Sequence, residues 1–156
     1  FMLKRTSKQL SMFSSLEDML SHEHPLFQLS NKINWECFEN AFSPLYCSNN
    51  GRPAHPIRLM CGLLILKHLR NVSDEMVVSQ WSENAYYQYF CGGLEFMPKQ
   101  PCDASELVHF RNRIGEKGME LILAESYESS FGPYKKNQHR ACQYKLYAEI
   151  LFLRED

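Results

Sequence analysis

Apolar residues recur at three- and four-residue intervals through most of this chain, and no segment alternates cleanly in the way a half-buried strand requires. The densest run is HPIRLMCGLLILKHLR, His55 to Arg70. Ile57, Leu59, Met60, Cys61, Leu63, Leu64, Ile65, Leu66 and Leu69 fall on nearly every side of a helix. A helix that is apolar all round is expected to be surrounded by other helices. Pro56 suits its first position, where a missing N–H costs nothing. The run is shorter than the roughly 20 apolar residues a bilayer span needs, and Arg58 and Lys67 interrupt it. The pattern therefore predicts an all-α, compact multi-helix domain built around this buried central helix.

The flanking pattern supplies the neighbours. Ser15 can cap a short helix over Leu16–Ser21, and Pro25–Lys32 carries Leu26, Phe27 and Leu29 as a second. Between them, His22 and His24 are too close in sequence to share a helical face, and they read as a solvated turn. Asn34 is expected to cap a helix with Trp35, Phe38 and Phe42 at helical spacing, its end weakened by Pro44. CSNNGRPA, residues 47–54, is the clearest loop. After the central helix, Ser73 caps DEMVVSQWSEN, with acids at the positive end of the dipole and a stripe of Met76, Val77 and Trp81. The short connection predicts two helices packed at an angle. AYYQYFC reads as an aromatic helix belonging to the core and ended by Gly92-Gly93; the alternative is a stacking platform for bases. Asp103 and Glu106 form a capping-box-like start to DASELVHFRNRIG. Leu107, Phe110 and Ile114 point inward there, Ser105, His109, Asn112 and Arg113 point away, and Arg111 flanks them. Gly115 closes that helix, and another is expected from Glu116 to about Tyr127.

Composition changes the picture little. With 156 residues and 44% hydrophobic content, one domain is the expectation. It divides into an N-terminal arm (1–14), the helical domain (15–126) and a tail of different character (127–156), with a weak helix over Tyr144–Leu153. The formal charge of −1 argues against a strongly cationic nucleic-acid binder but leaves room for a local basic patch. Such a patch exists in sequence: Arg52, Arg58, Lys67 and Arg70 occur in a stretch without Asp or Glu. The six cysteines show no C-x-x-C spacing and read as free thiols of a reducing cytosol. No signal peptide is visible, and a start at Phe1 suggests a fragment or an unusual start. No nucleophile–base pair, phosphate loop or metal-ligand spacing is present, so neither cofactor nor metal is expected.

The order of these pieces carries a resemblance. HPIRLMCGLLILKHLRNVSDEMVVSQWSENAYYQYFCGG, a proline-containing loop, and then DASELVHFRNRIGEKGMELI resemble the N-terminal domain of bacterial insertion-sequence transposases of the DDE class. The signature part is Leu107-Val108-His109-Phe110-Arg111 with Arg113-Ile114-Gly115, and the similarity runs over roughly residues 5–125. In that class the helical domain precedes a catalytic domain whose two Asp and one Glu bind two divalent metals for strand cleavage and transfer. No catalytic residue carries over. Nothing after Ser126 reads as the strand that holds the first of those acids, and the only later Asp is Asp156. On this resemblance the chain reads as a truncated or frame-shifted transposase and not itself an enzyme.

The resemblance implies binding to element-end DNA or help in assembling the transposase. The candidate DNA-binding residues are Arg52, Lys67, Arg70, His109, Arg111, Asn112 and Arg113, of types that contact phosphates and base edges. The last four lie on a helix that follows a helix-turn-helix outline. Arg111 and Arg113 could equally pair with Glu106 or Glu116. The alternative function is a helical interaction module that dimerises or docks on a full-length transposase. The expected partners are thus DNA, a second copy or the full-length protein, with no membrane. The expected location is the bacterial cytoplasm, at the nucleoid when DNA is bound.

Overall fold

Side-chain caps set where the first helices begin. In the computed structural model, which describes residues 15–46 and 53–131, Ser15 accepts from the Asp18 N–H and opens α1 (Leu16–Met19). His24 Nδ1 accepts from the Leu26 N–H at 3.2 Å, and Pro25 begins α2 (Pro25–Lys32). Asn34 Oδ1 accepts from the Cys37 N–H at 3.3 Å and opens α3 (Trp35–Phe42). Each cap satisfies an amide that the helix leaves unpaired. Pro44 sits in a 3₁₀ turn, Ser43–Leu45, that closes α3. The two histidines are not merely a solvated turn: His22 stacks on Phe27 and His24 on Tyr86, with centroids 4.4 and 3.7 Å apart.

The central helix is α4 (Ile57–Arg70). It starts one residue later than the sequence suggests, because Pro56 is extended (φ −54°, ψ 135°) and serves as its cap. Helices α3, α5 (Asp74–Glu83) and α7 (Ala104–Phe131) all pack on it. Cys61, Leu63, Leu64 and Leu66 are wholly buried as a result. Gly62 admits the end of α6 (Ala85–Phe90): a Cβ there would lie 2.7 Å from Cys91 Sγ.

Asn71 turns the chain from α4 into α5. It holds the left-handed conformation (φ 51°, ψ 52°), which asparagine tolerates well. Ser73 Oγ then accepts from the Met76 N–H at 3.1 Å. Inside α5 the buried stripe is Val77, Val78 and Trp81, whereas Met76 is half exposed. The expected Met76–Val77–Trp81 stripe is corrected by one position, because Val78 lies a turn before Trp81 and takes the inner place.

The aromatic helix α6 divides as a core element does. Tyr87 and Phe90 are buried, while the half-buried Tyr86 and Tyr89 stack on His24 and Phe27. It ends in a Schellman arrangement, with Gly92 at φ 88° and the Gly93 N–H donating to Gln88 O at 2.7 Å. Helix α7 is broken at Gly115 (φ 67°, ψ −170°), a backbone state that a side chain would strain. Its first half buries Leu107, Phe110 and Ile114, its second Ile122 and Ser126, and it runs on to Phe131.

Seven α-helices and no strand occur among the described residues, as the periodicity predicts. Cys37, Cys61, Cys91 and Cys102 are free thiols. No helix among the described residues is long and apolar enough to cross a membrane. The arm (1–14), Cys47, Arg52 and the tail from residue 132, including the weak helix at 144–153, lie outside the described residues.

Candidate nucleic-acid interface

Three buried side chains, Leu107, Phe110 and Ile114, anchor one side of α7 in the core. The helical period then fixes what faces outward: Ser105, His109, Asn112 and Arg113 are exposed, and Lys117 follows beyond the Gly115 break. This is the outward row expected from sequence. The Arg113 guanidinium lies 4.6 Å from the centroid of the Tyr46 ring. That cation–π contact steadies the group without using its N–H donors. Arg113 has no hydrogen bond or ion pair to another described residue, so it does not pair with Glu106 or Glu116. Glu106 instead accepts from the Asp103 N–H at 2.9 Å, completing that half of the capping box, and from His55 at 3.1 Å.

Arg111, at the edge of the row, reaches across to α5. Its Nη1 and Nη2 donate to the two oxygens of Asp74 at 2.7 and 2.8 Å. Lys67 Nζ from the last turn of α4 donates to Asp74 Oδ1 at 2.8 Å. A fork-on-fork pair with an added ammonium is a strong arrangement, and Asp74 also sits at the positive end of α5. The Arg111 hydrogen bond is the main reason the Asp74 carboxyl falls to about 2, with Lys67 adding to it and partial burial opposing. Desolvation, then Lys67 and Arg111, hold the neighbouring His68 below its ordinary value.

This pair predicts an acid limb in stability. The Asp74 carboxyl ionises more readily folded than unfolded, so its contribution is complete above about pH 5. It is lost as pH falls through about 4 towards 2, and amounts to about 2 kcal/mol. Urea midpoints measured down that range should fall more steeply for the natural chain than for Asp74→Asn. Parallel curves would show that the pair contributes nothing.

The acid-free stretch of the sequence is not acid-free in space. Lys67 meets Asp74, and His55 meets Glu106. Arg58 turns inward, its guanidinium 4.6 Å from the Trp35 centroid and its Nη2 donating to Ser30 Oγ at 3.1 Å. Arg70, half buried, approaches the Tyr87 ring instead of joining the α7 row. Of the seven candidate residues, then, the fold places His109, Asn112 and Arg113 on one exposed face. It joins Lys67 to Arg111 through Asp74 beside them, sets Arg70 apart, and leaves Arg52 outside the described residues. In sequence Asp74 reads only as a helix-start acid. The signal available was an acid opening a helix just after a basic helix end, which names one of its two cations but not Arg111. Among the described residues no group of three His, Cys, Asp or Glu side chains is placed to hold a metal ion.

Comparison with known proteins adds a family. Residues 14–113 match the model of a transposase domain, DUF772, which takes in the α7 row up to Arg113. A curated relative from Rhizobium meliloti, an uncharacterized protein ORF8 in the nfe locus, is 42% identical over 115 residues. That alignment covers 74% of this chain and 55% of the relative, so the chain spans about half the relative's length. No solved structure matches.

Proposed function

Because the chain belongs to the DUF772 transposase-domain family, we propose that its helical domain binds duplex DNA at the ends of a mobile element, with α7 as the contacting helix. The observation that carries this is the single solvent-facing row Ser105, His109, Asn112 and Arg113 on a helix whose opposite side is fixed in the core. These are the side chains that reach phosphates and base edges, arginine suiting guanine and asparagine suiting adenine. Among the described residues nothing takes the Arg113 N–H donors, and Tyr46 steadies the plane of the group. On this reading the domain positions DNA in transposition, in the cytoplasm at the nucleoid, and strand cleavage belongs to an acidic metal site elsewhere in the assembly.

Fluorescence titration of the full chain on element-end and scrambled duplexes, at several salt concentrations, tests it. The natural chain should prefer the element end. Arg113→Ala should cost about 1–3 kcal/mol of discrimination at one base pair if that arginine reads a guanine. If it holds a phosphate, binding to both duplexes should weaken alike and the salt slope should drop by about one. Equal, weak affinity for both duplexes before and after substitution would overturn the reading.

A second reading, a helical module that dimerises or docks on an intact transposase, is favoured by one observation. Leu94, Phe96 and Met97 are 79%, 45% and 56% exposed on one loop. Exposed apolar side chains in one place mark association surfaces. This reading predicts that Arg113→Ala leaves DNA binding at background and that Phe96→Ser alters self-association or capture of the full-length protein.

A further inference from the structure

Resting on the DNA-binding reading, we propose that Lys67, Asp74 and Arg111 form a single phosphate seat at the edge of the α7 row, in which Asp74 is the positioning residue. Arg111 stands about 100° round α7 from Asn112, on the side away from Arg113, so the cluster flanks the exposed row along its Asn112 edge. Two cations converge on one carboxylate at 2.7–2.8 Å, from α4 and α7 onto the start of α5. The sum is one net positive charge held at the junction of three helices.

The donors decide what that charge can do. Both Arg111 terminal nitrogens are engaged by Asp74, so its fork is not free to read a guanine edge. The Lys67 ammonium has three N–H groups and gives one to Asp74. The Lys67 and Arg111 side chains remain 23% and 26% exposed. A phosphodiester oxygen needs a fixed positive charge and one or two N–H donors, with no base-edge geometry, and that is what the cluster offers. Asp74 fixes both long side chains in advance, which removes most of the ordering cost of the contact. It also cancels one charge, so the cluster counts as one phosphate contact, where the sequence alone counts Lys67 and Arg111 as two.

The salt dependence of binding to a random-sequence duplex reads this count directly, because its slope follows the number of phosphates neutralised. Asp74→Asn raises the net charge of the seat by one, and the slope should steepen by about one. Lys67→Met keeps the aliphatic stem but lowers the charge by one, and the slope should become shallower by about one. The shifts are opposite in sign, whereas a purely structural clamp would lower the melting temperature in both variants and leave both slopes unchanged. Unchanged slopes, with the natural chain still binding and Arg113→Ala still weakening it, would overturn the seat and spare the DNA reading. A natural chain that binds no duplex at low salt would overturn both. Melting curves establish that each variant is folded at the assay temperature; should Asp74→Asn not fold, Lys67→Met decides alone.

Discussion

Leu64→Ala is expected to lower the free energy of unfolding by about 2–5 kcal/mol, read as a drop in the urea midpoint at constant m. Leu64 is wholly buried, as are Leu63 and Leu66 beside it in α4. The removed methyl groups lose their transfer free energy, and the space they leave adds a further cost unless the neighbours move in. Movement is restricted here because α3, α5 and α7 each already pack on α4, and closing one gap opens another. The large end of the range is therefore the expected one. Met76→Ala, on the half-exposed face of α5, serves as the control and should change stability by no more than about half a kcal/mol. A loss that small for Leu64→Ala would show that α4 is peripheral.

What was legible in the sequence is what depends on near neighbours along the chain. The apolar surround of α4 is written in residues 57–69, and the caps Ser15, Asn34 and Ser73 sit beside the helices they open. The break at Gly115 follows from the glycine itself, and the outward row of α7 from helical period. What was not legible depends on how helices cross. Arg111 and Asp74 are 37 residues apart, and nothing local favours that pairing over Glu106 or Glu116. Arg58 looks like a surface cation in sequence, yet the α4 crossing places it over Trp35. His24 acts as a cap and a stacking partner at once, a combination no spacing rule selects. The consequence for the candidate site is specific. Among the described residues, the basic stretch that suggested a patch is largely used up inside the fold, while α7 turns Arg113 and Lys117 outward and the Asp74 cluster flanks its row on the other edge.

Gln88 is the residue whose role the sequence hid most completely, and its substitution carries the second large effect. It stands within an aromatic run, is fully buried, and makes three hydrogen bonds to main chain. Its Nε2 donates to Trp81 O at 3.0 Å and to Met97 O at 2.8 Å, while its Oε1 accepts from the Met97 N–H at 2.7 Å. The side chain thus pairs with residue 97 much as a strand would and pins the loop that presents Leu94, Phe96 and Met97. Gln88→Leu conserves most of the volume but leaves Met97 O and the Met97 N–H without this partner and takes one of two donors from Trp81 O, which keeps the Asn84 N–H at 3.4 Å. Each orphaned buried group costs about 1–3 kcal/mol, and the loop can recover part of that by opening to water. A net loss of about 2–5 kcal/mol is expected, with faster hydrogen exchange at the Met97 amide. Gln88→Glu separates lost hydrogen bonds from lost shape. Near neutral pH it buries a carboxylate facing two carbonyl oxygens and should be at least as damaging. At low pH the protonated carboxyl regains one donor, so its deficit relative to the natural chain should shrink. Equal stability of Gln88→Leu and the natural chain, with Met97 exchange unchanged, would show that the loop is held by something else.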